Sequence, residues 1–202
     1  MDEPGRIDGR TARGLRTRSA VVDALLALQE EGDLEPTAQR VAARAGVALR
    51  TVFGHFSDME TLWAQAGERE LVKMGGLADV PPPELALDER IARFSASRAR
   101  VLEALLPVMR AARLREHSSP AIRRNRELFT EAGDAEVTTV FGPELEQLDG
   151  SERQVLLIAL HVVAGATGWE LLRHQRALDP EQATEVLRRT VRRLIPSSGG
   201  PW

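Results

Sequence analysis

The residues best suited to chemistry in this sequence lie close together and are hydrogen-bonding groups. Arg50, Thr51 and His55 offer guanidinium, hydroxyl and imidazole groups within six positions. Such groups can hydrogen-bond to phosphates and to base edges. Cysteine is absent, and no G-x-S-x-G or H-E-x-x-H motif or phosphate-cradling glycine loop occurs. We therefore predict a binding function with no catalytic residues, and we keep an enzyme as the weaker alternative.

Two short helices around a glycine turn are needed to position these groups. The first is predicted to begin after Thr37, whose hydroxyl can cap it, and to end at Gly46, which adopts a positive φ at little cost. The second places Val47, Val52 and Phe56 on its inward side. Helices of this length and spacing predict a helix-turn-helix. The side chains left for the major groove, together with Thr37 at the start of the first helix, are Leu49, Arg50, Thr51, Phe53, Gly54 and His55.

The stretch AxxAG-V-A-LRTVFGHF-SDMETL resembles the TetR/AcrR family of transcriptional regulators. The positions that match the family pattern are Gly46-Val47, Thr51, His55-Phe56, Glu60 and Leu62. The resemblance implies an all-α fold: an N-terminal three-helix DNA-binding domain with a helix-turn-helix, followed by a helical ligand-binding and dimerisation domain. It also implies a homodimeric repressor that a small molecule releases from a palindromic operator.

Three positions depart from the family pattern. Ala48 stands where the family usually has a capping Ser, a loss of about 1 kcal/mol. Phe53 replaces a Tyr and Met59 replaces a Lys, both of which usually contact phosphates in the family. These departures predict weaker generic DNA affinity and an intact fold. They also keep open a different class of protein, an all-helical adaptor of the same fold with weak or lost DNA binding.

Charge is distributed unevenly along a chain whose formal net charge is −3. Residues 6–18 carry five Arg against Asp8 alone, and residues 37–57 carry three Arg and no acidic residue. A local basic region in a nearly neutral protein is typical of a regulator that binds few phosphates. The resemblance makes Arg13, Arg16 and Arg18 candidate phosphate partners, with plain surface charge as the alternative.

The sequence divides into two predicted domains, residues 1–76 and 77–202. Residues 1–11 are predicted to be disordered, and a long helix follows from Ala12 to Glu31 with Leu15, Val22, Leu25 and Leu26 on its apolar stripe. Ser57 to Glu60 has the capping-box pattern S-x-x-E and opens the helix that leaves the first domain. The glycine pair at 75–76 and the prolines at 81–83 mark the boundary.

The second domain is predicted to be helical throughout. Pro107 is expected to kink or divide a helix that begins near Asp88, and Ser119-Pro120 is expected to start another. Gly142-Pro143 should interrupt that helix. Two further capping boxes, Ser151 to Gln154 and Asp179 to Gln182, are predicted to start the last two long helices.

The segment from Val155 to Trp169 is apolar on nearly every side of a helix. It is too short to span a bilayer, so protein must cover it on all sides. We therefore predict a homodimer through residues 151–195, which the family resemblance also implies. The chain has no signal-like start, so we predict a cytoplasmic protein that does not enter the membrane.

A small apolar ligand is expected among the C-terminal helices. Arg98 is the one cation on an apolar stripe, and an internal ion pair is the favoured interpretation over a ligand anchor. Each aromatic candidate is more commonly simple core, and two possible metal ligands, Glu170 and His174, are too few for a site, so no metal and no cofactor are predicted. The predicted ligand-binding residues are Phe94, Arg98, Met109, Phe129, His161 and Trp169.

Overall fold

The computed structural model of the chain describes residues 9–196, with side chains from Thr11 onward. The described residues form helices joined by turns and contain no strand, so the predicted all-α class is confirmed. The α-helices are α1 (Gly9–Glu30), α2 (Ala38–Arg44), α3 (Leu49–His55), α4 (Met59–Leu77), α5 (Leu87–Arg115), α6 (Pro120–Leu145), α7 (Gly150–Ala164), α8 (Ala166–Glu170) and α9 (Pro180–Leu194). A π-helical turn, Leu171–Gln175, follows α8.

Three predicted helix starts are confirmed. The Thr37 hydroxyl accepts a hydrogen bond from the backbone N–H of Arg40 at 3.3 Å and caps α2. Ser119 accepts from the N–H of Ile122 at 3.1 Å, with proline at the first position of α6. Asp179 and Gln182 form the predicted capping box at the start of α9.

Two predicted capping boxes are wrong. The cap of α4 is Asp58, which accepts from the N–H of Thr61 at 2.8 Å, while the Ser57 hydroxyl bonds to that of Thr61. The cap of α7 is Asp149, which accepts from two backbone N–H groups and lies two residues before the predicted Ser151. In both cases an Asp within two residues of the predicted Ser offers a carboxylate, which is a stronger acceptor for the free N–H groups of a helix start.

The first helix differs from its prediction at the N-terminal end. It begins at Gly9, so residues 9–11 are helical and not disordered, while residues 1–8 of that prediction lie outside the described part of the chain. Leu15, assigned to the apolar stripe, is 56% exposed, because the buried face of α1 starts only at Val21. The predicted end is confirmed: Gly32 has a φ of +93°.

The chain packs as two compact units. The first comprises residues 9–69 together with Pro107–Asn125. Its core forms where α1, α2 and α3 meet the start of α4, and Val108 packs against it. The largest fully buried side chains there are Leu25, Phe56 and Leu62. The domain boundary predicted near residue 76 stays a prediction.

The second unit comprises Glu70–Leu106 and residues 126–196. Its core contains Phe94, Phe141 and Trp169 and the inward faces of α7 and α9. Helix α5 continues through Pro107 instead of dividing there. Helix α6 has a kink at Phe141, with φ −112° and ψ 17°, next to the predicted interruption at Gly142-Pro143.

One stretch of the described chain, Gly150–Gln175, is long and apolar enough to cross a membrane by length and composition. The sequence analysis predicts no membrane-spanning stretch, because it considers only Val155 to Trp169, which is too short. The segment is not one straight helix, since Gly165 has an extended conformation, with ψ 171°, between α7 and α8. One side of it packs into the core of the second unit through Leu156, Leu160 and Trp169.

Candidate nucleic-acid interface

The glycine turn between α2 and α3 has the predicted geometry. Gly46 adopts φ +67°, and no atom lies within 4 Å of where its side chain would be, so the left-handed backbone and not crowding requires glycine here. Val52 and Phe56 on α3 are buried, and Val47 and Leu49 pack partly against the same core. Because this face of α3 packs inward, the opposite face of the helix is exposed to solvent.

The outward face of α3 consists of Arg50, Phe53 and Gly54, which are exposed. Thr51 and His55 lie at the edge of this face and are half-buried. Within residues 9–196, Arg50 forms no ion pair or hydrogen bond, so its guanidinium is available to an external acceptor. No α3 residue offers a side-chain cap, since Ala48 occupies the cap position, as the sequence predicted.

Arg18 holds the end of α3 in place. Its guanidinium donates to the carbonyl oxygen of His55 at 2.8 Å and to Oε1 of Gln65 at 2.5 Å, and it lies 4.7 Å from the centre of the Phe56 ring. These contacts join α1, α3 and α4. Arg18 is therefore a positioning residue and not plain surface charge. Its role as a phosphate partner stays a prediction, as do those of the exposed Arg13 and Arg16.

The two arginines of α2 are held by nearby carboxylates. Arg40 lies 2.9 Å from Asp33, and Arg44 lies 2.7 Å from Glu31. Both pairs are partly exposed, so each contributes little to stability. They nevertheless neutralise two of the three arginines in residues 37–57, the segment that the sequence analysis described as basic.

In the first turn of α4, the side chains make contacts within the protein, whereas the family pattern has a phosphate contact there. Met59, which replaces the usual Lys, packs partly against the core of the first unit. The backbone N–H of Thr61, followed by its hydroxyl, lowers the pKa of Asp58 by hydrogen bonding to the carboxylate. Glu60, predicted to complete a box with Ser57, instead accepts from the Ser119 hydroxyl at 2.8 Å and from the N–H of Ala121 at 3.2 Å.

Arg98 forms the internal ion pair that the sequence favoured. Its guanidinium lies 2.7 Å from Oε2 of Glu136 and 5.3 Å from the centre of the Phe94 ring, and both charged side chains are about nine-tenths buried. Burial lowers the pKa of Arg98 and raises that of Glu136, and each charge opposes the shift of the other. A ligand-binding role for Arg98 stays a prediction.

The other predicted ligand residues lie in different surroundings. Phe94 and Trp169 are buried in the second unit, and the Trp169 indole donates to Glu103 at 2.7 Å. Phe129 is half-buried. His161 is exposed, and its Nδ1 lies 3.0 Å from Oδ1 of Asp134. Met109 belongs to the first unit, and the ligand-binding roles of these residues stay predictions.

The sequence analysis missed the part that residues 107–125 play in the first unit. Asn125 donates to the carbonyl of Trp63 at 3.1 Å, and Arg115 lies over the Trp63 ring at 4.7 Å. Gly67 permits this approach, since a side chain there would overlap Asn125. The one signal in the sequence was Glu60, whose carboxylate can accept a hydrogen bond from a serine at a helix start. The nearby Ser57 fitted that pattern as well as Ser119 did.

No protein-family model and no curated protein matches the chain. Several solved structures are similar to it. A transcriptional regulator from Rhodococcus sp. Rha1 is 18% identical with a TM-score of 0.67, over 90% of this chain and 95% of that one. The multidrug binding protein EbrR, complexed with imidazole, is 20% identical with a TM-score of 0.61, over 98% and 96%. A TetR-like transcriptional regulator from Rhodococcus sp. RHA1 is 17% identical with a TM-score of 0.56, over 95% and 97%.

The geometry of α2, the Gly46 turn and α3 defines a helix-turn-helix protein. Its all-helical fold is that of the TetR-type transcriptional regulators, as the sequence motif indicated. The similar structures described above are named as regulators or as a binding protein and not as enzymes.

Proposed function

We propose that this protein is a DNA-binding transcriptional regulator that reads its operator with α3. The observation that carries the proposal is the division of α3 into a buried face, with Val52 and Phe56, and an exposed face, with Arg50, Phe53 and Gly54. Arg50 is suited to two hydrogen bonds with a guanine in the major groove. Thr37, Leu49, Thr51 and His55 are proposed to complete the DNA contacts.

The proposed regulator is a homodimer formed through residues 151–195. Val155, Ile158 and Val162 follow one another at helical spacing on α7 and are 63%, 54% and 60% exposed. The opposite face of α7 is buried in the second unit through Leu156 and Leu160. An exposed apolar stripe of this length on a soluble protein favours burial against a second copy. A two-fold dimer requires a palindromic operator with half-sites about 34–36 Å apart.

We further propose a cytoplasmic repressor that a small apolar ligand releases from DNA. The fold of the second unit supports this, since EbrR, a protein of similar structure, is named as a multidrug binding protein. Ligand binding and DNA binding would then be coupled, each weakening the other by the same factor. The proposed ligand-binding residues are those predicted on α5 to α8.

An adaptor that kept the fold but lost DNA binding is the second candidate. Three observations favour it: α3 lacks a side-chain cap, Met59 packs partly against the core of the first unit, and Arg40 and Arg44 are ion-paired. The two candidates differ in a direct experiment. A gel-shift assay at low salt, using the duplex beside the protein's own gene, should give a retarded complex that competitor DNA of unrelated sequence does not remove. Absence of any complex would favour the adaptor.

A further inference from the structure

The outward face of α3 combines a cation, an aromatic ring and a bare stretch of helix. Val52 and Phe56 point into the core. A helix turns about 100° per residue, so Arg50 and Gly54 lie at the centre of the opposite face and Phe53 lies at one side of them. All three of these outward residues are exposed. A molecule that docks on α3 therefore meets a guanidinium, a ring and uncovered backbone together.

Phe53 stands out among the aromatic side chains of the chain. It is 46% exposed, and within residues 9–196 every other Phe or Trp is buried or half-buried. The family pattern has a Tyr at this position, and Phe lacks the hydroxyl that usually contacts a phosphate there. A ring without a polar atom contributes to binding through apolar contact. Phe53 is therefore suited to an apolar group on the molecule that α3 binds.

Gly54 is not required by the internal structure of the chain. Its φ lies outside the left-handed region, in contrast to the φ of Gly46, and an added Cβ would meet no atom within 4 Å. Alanine would fit at this position and is a better helix former than glycine. A glycine at the centre of an exposed helix face is explained when another molecule approaches the backbone closely.

The major groove of DNA presents groups that match this face. The C5 methyl group of thymine is its apolar group, which a Phe side chain can contact, and an Arg can make two hydrogen bonds to a guanine. Arg50 and Phe53 are three residues apart, which corresponds to about 4.5 Å along a helix. Successive base pairs are about 3.4 Å apart. The two side chains can therefore meet neighbouring base pairs.

We propose that Phe53 reads a thymine through its C5 methyl group, next to the base pair that Arg50 reads, and that Gly54 lets α3 approach closely enough for this contact. This inference rests on the proposed function and names bases that its site selects. The contact is apolar, so Phe53 contributes to sequence preference and not to the salt dependence of binding.

The test removes the methyl group from the DNA and the ring from the protein. The wild type selects a site from a random pool of duplexes. Each thymine of that site is then replaced with deoxyuridine, which keeps every hydrogen-bonding group and lacks only the methyl group. Affinity is measured for the wild type, for Phe53→Ala and for the control Val72→Ala, since Val72 is 78% exposed on α4 and lies outside α3. Thermal unfolding shows that each variant is folded.

One thymine in each half-site is expected to respond. Its replacement should lower the affinity of the wild type and of Val72→Ala about fourfold, the effect of losing one buried methyl-sized group. The same replacement should leave the affinity of Phe53→Ala unchanged. The salt slope of Phe53→Ala should equal that of the wild type, because the ring neutralises no phosphate. The responsive thymine should lie next to the base pair at which Arg50→Ala loses discrimination.

Gly54→Ala separates a role in binding from a role in folding. The variant should unfold at a higher urea concentration than the wild type, because alanine favours the helix. It should nevertheless bind the selected site more weakly, because the added methyl group holds the backbone away from the groove. A Gly54→Ala variant that binds the site as tightly as the wild type would overturn the close approach.

Two results for Phe53 would overturn the inference. One is a selected site at which no deoxyuridine lowers wild-type affinity, or a Phe53→Ala variant that keeps the wild-type response to the methyl group. The other is an equal loss of affinity by Phe53→Ala on selected and scrambled duplexes, which would place the ring against the DNA backbone. The proposed function still stands in both cases if Arg50→Ala loses site preference. A wild type that selects no site would overturn both.

Discussion

The exposed stripe of α7 gives a quantitative prediction for self-association. Full burial of a Val or Ile side chain contributes about 1.5–3 kcal/mol. Ile158 and Val162 are 54% and 60% exposed, so burying the remaining surface against a partner should contribute about 1 kcal/mol each. A two-fold interface contains both residues twice. Replacing both with Gln should therefore cost about 4 kcal/mol, which raises the dimer dissociation constant roughly a thousandfold.

Sedimentation equilibrium of the wild type and of the Ile158→Gln, Val162→Gln variant measures this directly. Val72→Gln is the matched control, because Val72 is 78% exposed on α4 and lies outside the proposed interface. The wild type and the control should sediment as dimers at micromolar concentration and the double variant as a monomer. A monomeric wild type, a double variant that dimerises like the wild type, or an equal effect of the control would each refute the reasoning.

Two further predictions concern stability and protonation. Gly67→Ala should destabilise the protein by about 1–3 kcal/mol in urea unfolding, since the new methyl group overlaps Asn125. Adding Asn125→Ala should recover most of that loss, and a persistent defect would show that the helices do not approach here. Hydrogen bonds from Arg188, followed by Arg189, lower the pKa of Glu185 to about 2, so this carboxylate favours the folded state above pH 4.5 and the benefit is lost as pH falls toward 2. Carbon NMR titration should show that pKa, and a midpoint near 4.5 would contradict the two ion pairs on α9.

Sequence reasoning was most successful where a local signal specifies a local structure. The turn at Gly46, the caps Thr37 and Asp179, and the inward Val52 and Phe56 each follow from spacing or from a residue type that only one backbone conformation suits. The absence of a side-chain cap on α3 could be predicted for the same reason, because Ala48 has no hydrogen-bonding side chain. The fold class followed from these local elements together with the family resemblance.

The errors arose where a residue had two plausible partners. Glu60 could bond to Ser57 three residues away or to Ser119 fifty-nine residues away, and only packing decided for the second. The sequence left Arg18 open between a phosphate partner and plain surface charge, and only the fold shows that it donates to the carbonyl group of His55. Long-range contacts of this kind leave no periodic signal in the chain, which is why the contribution of residues 107–125 to the first unit was missed.

The most direct test of the central claim is a measurement of how Arg50 affects sequence preference. Duplexes selected from a random pool by the wild type would be compared with scrambled duplexes, using the wild type, Arg50→Ala and the control Arg100→Ala, since Arg100 is exposed on α5 outside the proposed dimer interface. Loss of a major-groove arginine should cost about 1–3 kcal/mol of discrimination at one base pair, while the control keeps the wild-type ratio. If the wild type selects no sequence, or if Arg50→Ala discriminates as well as the wild type, α3 does not read DNA.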